Sequence, residues 1–122
     1  MKIFDEIIYL PEFEKDLKKL TKKFPSLRDD LQEFIHSQLN LTHKLKMDNG
    51  GVVRIPNLPF QMPPVYKARK FACRSLKGSG SKSGIRVIYT YFADQDKIEF
   101  VEIYFKGDQE NESRARIVRK YG

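Results

Sequence analysis

Between residues 65 and 89 the chain reads VYKARKFACRSLKGSGSKSGIRVIY, two stretches of β-branched and aromatic residues divided by Gly78, Ser79, Gly80, Ser81 and Gly84. Glycine tolerates positive φ and so favours chain reversal, while the flanking residue types suit a pleated, half-buried surface. A β-hairpin is therefore expected here. The same segment holds seven basic side chains (Lys67, Arg69, Lys70, Arg74, Lys77, Lys82 and Arg86) and no acid. It predicts a cationic sheet face suited to phosphate.

The rest of the charge supports that placement. Residues 1–50 carry nine basic and nine acidic side chains, whereas residues 51–122 carry fourteen basic and seven acidic, which accounts for the whole net charge of +7. An excess confined to one part of the chain points to a polyanion or an acidic protein partner, because summed charge steers association rather than fold. A solvated basic surface kept for solubility is the competing explanation.

Three consecutive strands are expected at 65–73, 85–92 and 97–106, the last two joined by the turn Ala93-Asp94-Gln95-Asp96, so that neighbours pair antiparallel. Alternation sends Val101, Ile103 and Phe105 to one face of the last strand and Glu102, Tyr104 and Lys106 to the other. Lys67 and Arg69 share a side of the first, and Arg86 interrupts the apolar middle strand. Aligned, Lys67, Arg69, Arg86, Glu102, Tyr104 and Lys106 converge on one polar face, leaving the opposite face for helices.

Those helices come earlier. Residues 3–10 read as a short strand ending at Pro11, which suits the first turn of a helix. Phe13, Leu17, Leu20 and Phe24 recur at helical spacing, and Pro25 ends the element. Ser26 offers a cap for a second helix, reaching about Leu41, whose stripe is Leu27, Leu31, Phe34, Ile35 and Leu39. An antiparallel helical hairpin follows. His36 and His43, the only histidines, have no cysteine or acid at metal-ligand spacing and are expected on the helix surface, so neither metal nor cofactor is implied. The stretch 42–64 holds Gly50, Gly51, Pro56, Pro59, Pro63 and Pro64, leaving room only for an edge strand at 52–55. Residues 108–121 read as a short final helix in which Asp108, Glu110 and Glu112 precede Arg114, Arg116, Arg119 and Lys120, with Ala115, Val118, Ile117 and Tyr121 docking. Its arginines could extend the basic face.

No apolar run approaches the ~20 residues of a membrane helix. The single cysteine, Cys73, and a start without the features of a signal peptide favour a reducing, cytoplasmic setting. Length and the absence of linkers or repeats give one domain, 1–122. The expected fold is α+β: an N-terminal strand and helical hairpin packed on a small, mainly antiparallel twisted sheet, with a short C-terminal helix.

This order of elements resembles the RelE/ParE superfamily of bacterial and archaeal toxins. The resemblance rests on Tyr66-Lys67-Ala68-Arg69 and on Gly84-Ile85-Arg86-Val87-Ile88-Tyr89, which is similar to a G-x-R-V-I-Y strand of the family. RKFACRSLKGSGSKSGIRVIYTYF, with IYFKGDQENES further on, is most similar to the RelE- and HigB-like branch. The resemblance implies an endoribonuclease that enters the ribosomal A site, cuts messenger RNA and is held inactive by an antitoxin. It places Lys67, Arg69 and Arg86 at the catalytic positions; Lys70, Arg74, Lys77 and Lys82 are further RNA contacts expected from the basic charge of their segment. Where relatives carry an arginine or histidine just after the last strand, this chain has Lys106-Gly107-Asp108, and its tyrosine on the final helix, Tyr121, comes late. Glu102 and Tyr104 are then the nearest candidates for a general base, and Glu102 answers equally well as an ion-pair partner of Arg86. ParE-like members, which act on DNA gyrase without cutting RNA, keep a non-catalytic alternative open.

Overall fold

The structure, a computed structural model, describes residues 2–122. A five-stranded mixed sheet has the order β1-β5-β4-β3-β2, formed by β1 (Glu6–Tyr9), β2 (Val52–Arg54), β3 (Val65–Ala68), β4 (Ile85–Phe92) and β5 (Lys97–Phe105). Only β1 pairs parallel, along β5; every other neighbour is antiparallel. Between β1 and β2 lie α1 (Pro11–Lys23) and α2 (Leu27–Phe34), and α3 (Arg114–Tyr121) closes the chain. The expected α+β fold is present.

α1 begins at Pro11 and buries Phe13 and Leu17 against the sheet; Phe24, at its end, is buried as well. From α2 the helix runs on as a wider π-helical segment, Ile35–Lys44, three residues beyond the expected end. His36 Nδ1 and Ser37 Oγ donate to the carbonyls of Gln32 and Glu33, four residues back. Side chains that occupy those carbonyls compete with the α-helical ladder and favour its widening. His43 is not on the surface. It lies four residues beyond the buried Leu39, on the same stripe, where its Nε2 is hydrogen-bonded to the Tyr89 hydroxyl at 2.7 Å and its ring meets Tyr66 and Tyr91.

Three expected boundaries are corrected. The first strand is only Glu6–Tyr9, and β3 stops at Ala68 rather than at Cys73. There the backbone N–H groups of Arg69 and Lys70 turn to the Gly51 carbonyl, while Phe71 and Cys73 bury into the core beside α2 and keep only one bridge, Phe71 to Lys82. The link from β3 to β4 is thus an anchored loop rather than a tight hairpin. At Gly84 (φ +85°) a Cβ would meet the Phe105 ring at 3.2 Å, so glycine answers both conformation and space. The final helix starts at Arg114, capped by the Ser113 side chain, which accepts from the Arg116 N–H. Asp108, Glu110 and Glu112 therefore lie before it.

A β-bulge reorganises the last strand. Tyr89 pairs with Phe100 but Ile88 with Glu102, which leaves Val101 as the extra residue. Ile98 and Phe100 before the bulge, and Ile103 and Phe105 after it, face the helices, whereas Val101 joins Val65, Ile88 and Tyr104 on the opposite face. That face is not wholly polar. Ile117 and Tyr121 of α3 pack there with Ile55, Leu58 and Phe60, forming a second, smaller core. Ala115 and Val118 point to solvent instead of docking.

Candidate functional site

β3, β4 and β5 carry the cationic site on the sheet face opposite α1 and α2. In register, Lys67 stands opposite Ile88 and Arg86 opposite Tyr104, so Lys67, Arg86 and Tyr104 project to one side as cross-strand or diagonal neighbours. α3 covers one half of this face, and the half toward the ends of β3 and β5 remains open.

Arg86 forms no ion pair among the described residues, Glu102 included. Its Nη1 donates to the Arg69 carbonyl at 3.3 Å, which places the guanidinium at the end of β3. The Arg69 side chain is exposed and donates to the Gly50 carbonyl at 3.2 Å. Lys106, two residues beyond Tyr104, is exposed too. None of these three cations is paired with an acid among the described residues.

Lys67 has an acid. Its Nζ donates to Glu112 Oε1 at 2.9 Å, and the two side chains are only 18% and 13% exposed. Desolvation, the largest influence on Lys67, pulls its pKa down, but Glu112 and Tyr104 outweigh it and hold the ammonium above its usual value. Burial likewise works against ionised Glu112, yet Lys67 keeps that carboxyl below its usual value. Tyr104 is 4% exposed, and its hydroxyl is the one buried side-chain polar atom among the described residues without a hydrogen-bond partner. Burial pushes its pKa up against the pull of Lys67. It is a neutral phenol beside a fixed cation.

Glu102 belongs to a different task. It is 3% exposed, and its two carboxylate oxygens accept from the Ser113 backbone N–H and from Gln109 Nε2, each at 2.8 Å. The loop cations are dispersed. Arg74 is tied to buried Asp30 through Nε (3.0 Å) and its backbone N–H (3.1 Å), and Lys70 donates to the Asn49 carbonyl on the α2 side of the sheet. Lys77 and Lys82 are exposed in the loop. The arginines of α3 do not extend the basic face: Arg116 pairs with Glu12 and Asp16, Arg119 with Glu12, and Arg114 donates to the carbonyls of Pro56 and Asn57. They clamp α3 to α1 and to the loop before β3. Tyr121 donates to Glu99 at 2.7 Å and faces that second core.

Of the side chains that sequence places together, Lys67, Arg86 and Tyr104 are neighbours on one face, Arg69 and Lys106 lie one residue beyond the ends of β3 and β5, and Glu102 turns to the Gln109 and Ser113 donors. Glu112 is the member the sequence reading missed, because as an acid ahead of basic residues it answers equally to a helix dipole. No group of three or more His, Cys, Asp and Glu among the described residues could hold a metal ion, and none of their helices is long and apolar enough to cross a membrane.

No protein-family model matches the chain. A search of curated proteins likewise finds no match. Among solved structures the chain is similar to the toxin RelE of E. coli, a double arginine-to-alanine mutant in the free state, at 14% identity and a TM-score of 0.52 over 98% of this chain and 99% of that one. It is also similar to an archaeal RelE-RelB complex from Pyrococcus horikoshii OT3, at 15% identity and a TM-score of 0.49 over 84% of this chain and 94% of that one. The fold of this chain is RelE-like.

Proposed function

We propose that this protein is a toxin of the RelE type that cleaves messenger RNA on the ribosome, acts in the cytoplasm and is restrained by an antitoxin protein. The observation that carries the proposal is Arg86: a guanidinium on an open sheet face, opposite a buried and unpartnered tyrosine hydroxyl, with no acid to account for it. An arginine in an apolar strand is costly unless solvent, an acid or a ligand meets it. A phosphate meets that demand.

The chemistry follows from the groups present. When a ribose 2′-oxygen attacks the adjacent phosphorus, the O2′–P bond forms, the P–O5′ bond breaks, the 2′-hydroxyl loses a proton and O5′ gains one. Charge grows on the phosphate oxygens, and fixed cations stabilise it most in the transition state. Arg86 and Arg69 are placed to supply bidentate contacts, and Lys67 a protonated ammonium. Tyr104, kept neutral by burial, is a proton donor rather than a base. No imidazole shares this face: His43 lies on the helix side and His36 on the surface of the π-helical segment that follows α2. Catalysis here rests on electrostatic stabilisation, which suits an RNA already positioned by a larger machine. Exposed cations also give an acidic antitoxin segment its counterpart.

Primer-extension mapping of messenger RNA after induced expression tests this. Cuts within translated codons are expected; DNA damage without such cuts would transfer the protein to the gyrase-binding class.

A further inference from the structure

Residues 106–113 form an arm between β5 and α3 that carries Asp108, Glu110 and Glu112 alongside the cationic face. It leaves β5 by a turn in which the N–H groups of Asp108 and Gln109 both donate to the Phe105 carbonyl. Lys23 holds its start, through Asp108 at 3.1 Å and over the Phe105 ring at 4.8 Å. Glu102 holds its middle and end through Gln109 and Ser113. The last acid of the arm, Glu112, lies on Lys67.

We infer that this arm is an autoinhibitory latch: the Glu112 carboxylate occupies the place on Lys67 that an RNA phosphate takes when the arm opens, and the same opening uncovers the Tyr104 hydroxyl. The inference rests on the proposed phosphate-binding role of the face. A carboxylate and a phosphate oxygen are alternative anionic acceptors for one ammonium, and with Glu112 on it the Lys67 side chain is only 18% exposed, which leaves little open surface for a phosphate. Arg69 and Lys106 remain exposed and Arg86 half-buried, so RNA meets them before it meets Lys67. The buried Tyr104 hydroxyl, beside Lys67 and without a hydrogen bond of good geometry, has donor and acceptor capacity left for a ligand.

The test uses a fluorescein-labelled single-stranded RNA with 2′-O-methyl riboses, which binds but cannot be cut, titrated against the full chain. Glu112→Gln is expected to bind about tenfold more tightly than wild type. Its log K against log salt should be steeper by about 0.7, one added phosphate contact on a single strand. Glu110→Gln removes the same charge from the same arm without touching Lys67, and should stay within about twofold of wild type because exposed charges are screened. Gln109→Ala, which loosens the arm at Glu102 and changes no charge, should shift affinity in the same direction as Glu112→Gln. In a Lys67→Met background the gain from Glu112→Gln should vanish. Equal gains for Glu112→Gln and Glu110→Gln would reduce the effect to net charge and overturn the latch, as would unchanged affinity in both Glu112→Gln and Gln109→Ala. If Arg86→Ala leaves binding unaltered in every background, the phosphate-binding role of the face fails and the latch with it.

Discussion

At the residue scale, His43 and Lys67 show opposite outcomes of enclosing a titratable group. Lys67 has Glu112 within hydrogen-bond distance and stays charged. His43 has only tyrosine rings and the Tyr89 hydroxyl about it, and burial lowers its pKa from 6.5 to about 4. Because the folded value lies below the unfolded one, the unfolded chain binds more protons across that window, so stability is complete above about pH 6.5 and falls as pH drops toward 4. The full shift corresponds to about 3 kcal/mol, and with partial solvent access a loss on the order of 1–2 kcal/mol between pH 7 and 5 is expected. Thermal melting should show that loss in wild type and a flatter profile in His43→Gln; parallel profiles would remove His43 from the acid response. Neither environment was legible in the sequence. Leu39 and His43 share a stripe that can be counted, but Tyr89 and Glu112 lie 46 and 45 residues from their partners, and nothing local selects them.

At the element scale, β4 and the turn at 93–96 match their expected bounds because alternation and turn chemistry are local signals. β3 does not, since its apolar residues Phe71 and Cys73 satisfy the pattern of a strand while serving as anchors of a loop. The bulge at Val101 is hidden for a similar reason: one inserted residue changes the face of every position before it relative to those after it, and KIEFVEIYF reads as a single alternating run only if that residue is overlooked. Glu102 joins the bulged strand to the arm and to the cap of α3. Glu102→Ala leaves the Ser113 N–H without its acceptor and Gln109 Nε2 with only the Asn111 carbonyl, and is expected to cost about 1–3 kcal/mol. Melting and cleavage measured on the same preparations decide its role. The structure predicts that activity follows the folded fraction, whereas a large loss of activity at unchanged melting would make Glu102 part of the chemistry.

At the scale of the whole molecule, the charge asymmetry is real but its distribution is not the one that a summed charge suggests. Arg74, Arg116, Arg119 and Lys67 meet acids and Arg114 meets backbone carbonyls, so the cations left without an acid at the open half of the sheet face are Arg69, Arg86 and Lys106, while others, Lys77 and Lys82 among them, are spread over the loops. Order of elements and overall fold class were legible because they depend on many weak signals that agree; which cations stay available depends on a few long-range pairs. Among these three Arg86 alone lies within a strand, as the second residue of the central β4. The most direct test is the single-turnover rate at which Arg86→Lys cleaves ribosome-bound messenger RNA, with thermal melting recorded on the same sample. An ammonium keeps the charge but not the two-pronged contact, so the rate should fall about 10²–10³-fold, or roughly 2.7–4 kcal/mol of transition-state stabilisation, while melting stays at the wild-type temperature. An unchanged rate, or a loss that only mirrors lowered melting, would contradict the assignment of this face to phosphate.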